Sequence, residues 1–272
     1  MTTKEIMEIA LKLAGLSEMP SDTSINVEGD SIQKILIGID MENPEILLAK
    51  ELGYDLVVSH HPKADTSKTD FSKVMERQID KMVEFGVPIN RAQKALSKKI
   101  NTVSISNHVC NYDRVSSFAK LAGMPFMNIH MPADIIGERF VQKYLDDKFE
   151  GQNKKTLEDV VSALNELDIY KNALASPVIR CGSGKDYAGK IAVLFAGGTN
   201  GGADVYKAYF DAGVGTIIAM HAPEDVIKAV KDQNIGNIIV AGHMASDSIG
   251  LNAIISAWKE KGLEVTKMSG IL

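Results

Sequence analysis

Six histidines carry most of the chemical information in this sequence of 272 residues. Five of them follow apolar segments that predict buried β-strands. These are His60 and His61 after DLVVS (55–59), His108 after TVSIS (102–106), His221 after TIIAM (216–220) and His243 after NIIVA (237–241). Ligands of open parallel α/β sheets bind beyond the carboxyl ends of the strands, and neutral imidazole is a common metal ligand. The placement therefore predicts a metal or catalytic site that these histidines share.

The adjacent pair His60-His61 needs a turn in the backbone, because neighbouring side chains on a regular strand point to opposite faces of the sheet. Pro62 supplies one by stopping the strand directly after the pair. The apolar strand that delivers the pair favours a metal-ligating role. A surface loop that carries two histidines without function is the alternative.

A second histidine and a carboxylate occur together in the segment GHMASD, as His243 and Asp247. If the following helix begins near residue 243, a spacing of four places both side chains on one helix face. Imidazole and carboxylate on one face suit a divalent metal. Alternatively, Ser246 or Asp247 caps the helix and His243 is a loop residue.

A third candidate ligand is Asp113, in the segment SNHVCNYDR. Its alternative role is to cap a helix over 114–122. The neighbouring Cys110 is expected to be a small buried hydrophobic residue rather than a soft metal ligand.

Two glycine-containing segments resemble phosphate-binding loops. The segment 184–190, GKDYAGK, matches the start of a P-loop, but Ile191 follows where Ser or Thr would bind magnesium, and the lysine leads into a strand. The pairs 197–198 and 201–202 lie between a strand and a helix, where an anion-binding turn is possible. Their spacing is not the dinucleotide fingerprint, so a tight turn is the default expectation.

The order of elements predicts an α/β fold of two similar lobes with helix-covered sheets. Strands over 34–39, 55–59 and 102–106 alternate with helices in the first half, and strands over 191–196, 216–220 and 237–241 do so in the second. A possible edge strand covers 263–268. We expect a single domain with lobe 1 at about 1–124, a connecting segment at 125–190 and lobe 2 at about 191–272.

Composition excludes several classes of protein. A net charge of −5 argues against a nucleic-acid-binding surface, since phosphate contacts need a basic patch. No apolar run approaches the roughly 20 residues that cross a bilayer. The two cysteines are too few for a disulfide framework. We expect a reduced, cytoplasmic protein with no membrane or nucleic-acid partner.

Taken together, the motifs DLVVSHHPKA, NHVCNYD, GGTNGGAD and VAGHMASD resemble those of the Nif-three-like family. Members of this family are often called GTP cyclohydrolase 1 type 2 homologues. The order of the motifs matches along most of the chain, and DTSINVEG (22–29) looks like a diverged form of the family's early motif.

The resemblance implies two intertwined α/β lobes with a dinuclear metal site in the cleft between them, and assembly into hexameric rings. The implied ligands are His60, His61, Asp113, His243 and Asp247. Two departures stand out: the family usually has Glu at the last position, and its mid-chain motif places His four residues before Asp, whereas His108 precedes Asp113 by five. The ligand set suits two divalent ions of zinc, iron or manganese.

The function that this predicts is a metal-dependent hydrolase acting on a nucleotide-like or phosphorylated small molecule, with His108 and His221 as candidates for proton transfer. The main alternative is a non-enzymatic, oligomeric metal-binding scaffold or regulatory protein. A nucleotide-binding module that uses the glycine-rich turn is a third possibility.

Overall fold

The computed structural model describes residues 1–272 and contains twelve α-helices and nine β-strands. The helices are α1 (Thr3–Ala14), α2 (Asn43–Glu51), α3 (Asp65–Thr69), α4 (Arg77–Glu84), α5 (Ile89–Asn107), α6 (Arg114–Ala122), α7 (Met131–Lys148), α8 (Leu157–Leu164), α9 (Asp168–Lys171), α10 (Ala203–Asp211), α11 (Glu224–Gln233) and α12 (His243–Glu260). The strands are β1 (Ser24–Val27), β2 (Lys34–Gly38), β3 (Leu56–Ser59), β4 (Phe126–Asn128), β5 (Val178–Cys181), β6 (Lys190–Leu194), β7 (Val214–Ala219), β8 (Asn237–Val240) and β9 (Glu264–Met268). The predicted α/β class with two helix-covered sheets is confirmed.

The chain forms two compact units. The first consists of residues 1–74, 103–136 and 247–272, and the second of residues 75–102 and 137–246. The predicted lobes, 1–124 and 191–272 with a connecting segment at 125–190, are continuous stretches of sequence. Both observed units are discontinuous, because the chain returns to the first unit after leaving it.

The first unit contains a five-stranded sheet in the order β1-β4-β3-β2-β9. Strands β4, β3, β2 and β9 run parallel, and β1 pairs antiparallel with β4. All four residues of β3 are buried, as expected of a strand covered on both faces. The C-terminal strand β9 lies at the sheet edge, as the sequence predicts.

Helices α2 and α6 cover this sheet through an apolar cluster that includes Ile46, Val57, Ala119 and Phe126. Each larger side chain of this kind stabilises the fold by about 1.5–3 kcal/mol when it is fully buried. Helix α6 ends at Gly123, whose left-handed backbone (φ 65°) closes the helix. Gly15 ends α1 in the same way, with φ 72°. The packing of α2 and α6 against the sheet helps to fix the carboxyl ends of β3 and β4.

The second unit contains a four-stranded sheet in the order β5-β8-β7-β6, in which β5 alone is antiparallel to its neighbour. The buried carboxylate of Glu138 accepts hydrogen bonds from the backbone N–H groups of Phe195 and Ala196, directly after β6. Gln78 donates to the carbonyls of Gly197 and Thr199 in the glycine-rich loop that follows. These hydrogen bonds within the chain agree with the default expectation of a tight turn in this loop.

The predicted strand over 102–106 is wrong, because these residues lie in helix α5. Thr102, Val103 and Ile105 favour strands only where a half-buried pleated surface receives them. The place beside β3 is occupied instead by β4, whose three residues pair in parallel with residues 57–59. A strand of three residues is too short to give a recognisable hydrophobic pattern.

Residues 71–84 form two consecutive helical segments, a 3₁₀ helix at Phe71–Glu76 and helix α4. The long C-terminal helix begins at His243, so Ser246 and Asp247 do not cap it and His243 belongs to its first turn. None of the helices has both the length and the apolar character needed to cross a membrane.

Candidate metal centre

The histidine pair after β3 turns both rings to one side. The backbone N–H groups of His60 and His61 donate to the carbonyls of Gly38 and Ile39, so the segment continues the pairing with the chain after β2. The Ser59 hydroxyl donates to the His61 carbonyl at 2.9 Å and fixes the turn. As a result the two ring centroids lie 5.0 Å apart.

Two helices bring carboxylates to this pair. Helix α7 starts directly after His130, and Asp134 lies one turn further on. Helix α12 carries Asp247, which is 1 % exposed. Gly250, one turn after Asp247, allows the backbone of α12 to touch that of α7: a Cβ atom at this position would overlap the Ala133 carbonyl. Close helix packing therefore sets the distance between the two carboxylates.

Each of three histidines is anchored through its Nδ1 atom. His60 Nδ1 lies 2.9 Å from the Ile129 carbonyl oxygen, His61 Nδ1 lies 2.9 Å from Asp40 Oδ1, and His130 Nδ1 lies 2.6 Å from Asp22 Oδ2. All three partners are acceptors, so they place the proton on Nδ1 and leave the lone pair on Nε2. Metal-ligating histidines usually show this arrangement, in which a carbonyl or carboxylate orients the ring.

The Nε2 atoms face the two carboxylates at distances that suit shared ligands. His60 Nε2 lies 3.4 Å from Asp134 Oδ1 and 3.6 Å from Asp247 Oδ1, and His61 Nε2 lies 3.7 Å from Asp247 Oδ2. Two ligands bound at ~2.1 Å to one tetrahedral ion lie about 3.4 Å apart. The separations are long for hydrogen bonds but match the edge of a coordination shell.

Buried polar atoms in the cluster support the same interpretation. His60 is fully buried, yet its Nε2 atom has no hydrogen-bond partner, and the same holds for Asp134 Oδ1. A buried polar atom without a partner costs about 1–3 kcal/mol. A cation between these two atoms would satisfy both, so the residues present fit a divalent metal ion.

The pKa values of the cluster show how burial and charge compete. Burial raises the pKa of Asp134 to about 7, although His130 and His60 oppose the shift. Burial lowers the pKa of His61 to about 4, so this imidazole is neutral at pH 7. Burial also acts to lower the pKa of His130, but Asp134 and Asp22 outweigh it and raise the pKa to about 9. Two of the groups therefore retain protons that a cation would displace.

A family model described as Duf34/NIF3 (NGG1p interacting factor 3) matches residues 1–270. The chain belongs to the DUF34/NIF3 family. This is the family that the motifs indicated, so the recognition from sequence is confirmed. No match was found among curated proteins.

Solved structures agree with this membership. A NIF3 superfamily protein from Sphaerobacter thermophilus is 35% identical and has a TM-score of 0.96, with 99% of this chain and 98% of that chain covered. Reduced HcgD from Methanocaldococcus jannaschii is 15% identical with a TM-score of 0.58, over 98% of this chain and 97% of that one. A protein from Thermus thermophilus is 14% identical with a TM-score of 0.57, over 99% and 98%. The two more distant structures share the fold of this DUF34/NIF3 chain.

Not all of the sequence-predicted site residues join the cluster. His60, His61 and Asp247 lie together within the first unit. His243 lies one helical turn before Asp247 on helix α12. Asp113 is exposed at the start of α6, and His108 is exposed at the end of α5. His221 lies in the second unit, where its ring centroid is 4.9 Å from that of His243.

Sequence reasoning missed His130 and Asp134. Asp113 and His108 had been expected in the positions that these two residues occupy in the cluster. A usable signal exists: His130 precedes Asp134 by four, which is the spacing of the NIF3 mid-chain motif, and it follows the apolar segment of β4. The wrongly predicted strand over 102–106 drew attention away from this signal, because it placed His108, and not His130, after a strand. Asp22 and Asp40, which anchor His130 and His61, were also missed.

Proposed function

We propose that this NIF3 protein binds two divalent metal ions and acts as a metal-dependent hydrolase on a nucleotide-like or phosphorylated small molecule. The observation that carries the metal site is the orientation of His60 and His61, each with Nδ1 held by an acceptor and Nε2 facing the buried Asp247 carboxylate. Such rings are arranged in advance as ligands, so little reorganisation would accompany metal binding.

Asp247 is the best candidate for a bridging ligand. Its Oδ1 faces His60 Nε2 and its Oδ2 faces His61 Nε2, at 3.6 and 3.7 Å. With one oxygen toward each histidine, Asp247 would be able to contribute a ligand to each of two ions. In this proposal His60, Asp134 and Asp247 would hold one ion, and His61 and Asp247 would contribute to the other. His243 is added as a ligand by the family resemblance.

The charge of the buried groups supports this proposal. Asp22, Asp134 and Asp247 are at most 3% exposed. The ion pairs of Asp22 and Asp134 are with histidines only. Burying carboxylates without compensating cations is costly, and divalent ions would provide the compensation. The imidazole-rich set favours zinc, iron or manganese over calcium, which prefers oxygen ligands.

A divalent ion in such a site supplies a Lewis acid that polarises a scissile bond and makes water a better nucleophile. The chain itself provides the rigid frame. Asp40 holds the His61 ring, and Lys63, 2.6 Å from Asp40, holds the carboxylate. Burial opposes ionisation of Asp40, but the hydrogen bonds from Lys63 and His61 prevail and lower its pKa to about 2. Asp40 therefore stays ionised and orients His61 throughout the physiological range.

The substrate class rests on the family resemblance, and so does the name GTP cyclohydrolase 1 type 2 homologue. We would test turnover of GTP, cyclic amides and a panel of phosphoesters by the metal-loaded protein. Asp247→Ala should abolish any turnover, and the exposed Asp113→Asn should retain it. Turnover that survives in Asp247→Ala would exclude this site as its source. Metal binding without turnover of any substrate class would favour the alternative, a metal-binding scaffold.

We also propose assembly into a hexameric ring. This proposal rests on the family resemblance. Sedimentation velocity of the purified protein should give a single species of six chains. A monomer at micromolar concentration would contradict this proposal.

A further inference from the structure

The pair formed by Asp22 and His130 lies outside the ligand set proposed above. Asp22 is fully buried two residues before β1, and its Oδ2 atom lies 2.6 Å from His130 Nδ1. Its own position is fixed twice: the Thr23 hydroxyl donates to Oδ1 at 3.2 Å, and Asn128 Nδ2 donates to its backbone carbonyl at 2.6 Å. The carboxylate is thus held rigidly against the ring.

This contact determines which nitrogen of His130 is available. Since the Asp22 carboxylate accepts from Nδ1, the lone pair of the neutral ring resides on Nε2. That atom lies 3.7 Å from Asp134 Oδ2, while the other oxygen of the same carboxylate faces His60. The ligand nitrogens of His60, His61 and His130 all lie within 4.8 Å of one another. Once a metal ion displaces the Nε2 proton, His130 would therefore present a lone pair to the same small volume as the two histidines after β3.

A buried ion pair without further function would explain the Asp22 contact alone. It would not explain why the opposite nitrogen of the ring faces both Asp134 and two other anchored imidazoles. The ring centroids of His60 and His130 are 4.8 Å apart, so the rings pack directly. Like His60 and His61, His130 is anchored through Nδ1 by an oxygen acceptor.

We propose that His130 is an additional metal ligand through Nε2 and that Asp22 is the positioning residue that fixes its ring. This rests on the proposed metal centre and extends it: the ion beside Asp134 would have two imidazoles, from His60 and His130, in its shell. Such a shell favours zinc, cobalt or iron(II) over magnesium. Removing a residue that orients a ligand typically lowers metal affinity by about 10–100-fold.

The test uses cobalt(II), whose visible absorption bands report the number and type of ligands. The full-length protein is freed of metal by chelation and titrated with cobalt(II), and affinity, stoichiometry and spectrum are recorded. His130→Ala should weaken binding of one ion by more than about 100-fold and alter the spectrum. Asp22→Ala should weaken binding by about 10–100-fold and shift the bands, and Asp22→Asn, which retains an acceptor, should lie between it and wild type.

Two controls separate ligation from structure. Ser24→Ala removes a hydrogen bond to Asn128 on the same strand pair but leaves the Asp22–His130 contact, and should keep the wild-type spectrum. His130→Gln preserves bulk and replaces His130→Ala if the latter fails to fold by circular dichroism. Wild-type affinity and spectrum in the folded His130 variant would overturn this proposal alone. Absence of cobalt binding by the wild type would overturn the proposed function as well.

Discussion

At the scale of residues, two aspartates, Asp134 and Asp113, are the candidates for the mid-chain metal ligand. Asp134 is buried with Oδ1 3.4 Å from His60 Nε2, whereas Asp113 is exposed at the start of α6. We expect Asp134→Asn to reduce zinc affinity by more than about 100-fold, a larger loss than for residues that only orient ligands. Isothermal titration calorimetry measures it. The matched variant Asp113→Asn should bind as wild type, and equal losses in both would show that Asp134 is not a ligand.

Metal binding should also depend on pH, since cations compete with protons at the same atoms. The pKa of Asp134 is about 7 and that of His130 is about 9. Both groups gain protons as the pH falls, so affinity should decrease as the pH is lowered through this range and increase as it is raised.

Calorimetry in buffers of different ionisation enthalpy checks the sign directly. At neutral pH, binding should release protons to the buffer. His61, whose pKa is about 4, should contribute little because it is already neutral. Affinity that stays constant between these pKa values would contradict the assignment of Asp134 to the site.

At the scale of elements, the contact between α7 and α12 controls the distance between Asp134 and Asp247. A Cβ atom on Gly250 would meet the backbone of Ala133, which cannot move without shifting α7. Gly250→Ala should therefore destabilise the protein by about 1–3 kcal/mol, the usual cost of overpacking. Because the clash separates the two carboxylates, zinc affinity should fall as well.

Urea unfolding and calorimetric titration measure the two effects of Gly250→Ala separately. Gly184→Ala is the matched control, since an added Cβ there meets only the Glu158 side chain at an ordinary 3.6 Å. A variant at Gly250 with wild-type stability and affinity would mean that the helices are not in rigid contact.

Element-level errors explain why part of the site was not anticipated. Helix α5 contains strand-favouring residues at 102–106, but only Ala92 and Leu96 of its nineteen residues are buried. The strand-favouring side chains of this segment predicted a strand, but the segment does not pack in a sheet, where such side chains stabilise strands. In contrast, the hydrogen bonds of the Thr156–Asp159 capping box form within one helical turn, so its residue pattern is evident in the sequence itself.

At the scale of the whole molecule, bound metal should contribute to stability. The buried carboxylates Asp22, Asp134 and Asp247 lie close to one another, and cations relieve their repulsion. A ligand at 100 times its Kd stabilises the native state by about 2.7 kcal/mol. Chelation should therefore lower Tm by roughly 5–10 °C for a protein of this size.

Thermal unfolding with and without a chelator tests this expectation. Re-addition of zinc should restore the original Tm, and Asp134→Asn should respond less to the chelator than wild type. A Tm that is the same with and without the chelator would argue against a stabilising metal ion.

The sequence by itself determined the strand that delivers His60 and His61, the helix spacing of His243 and Asp247, and the family. The first two features depend on short-range patterns: an apolar segment ended by Pro62, and a spacing of four residues that places two side chains on one helix face. Local hydrogen bonding and periodicity are encoded within a few residues, so they can be read without a fold.

Only the tertiary structure decided that Asp134 and His130 occupy the cluster and that Asp113 and His108 do not. That outcome depends on which strand pairs with β3, and strand pairing joins residues far apart in sequence. It depends equally on a glycine contact between two helices more than a hundred residues apart. Burial also set the protonation of the site, since the same carboxyl group titrates near 4 in water and about 7 inside this cluster.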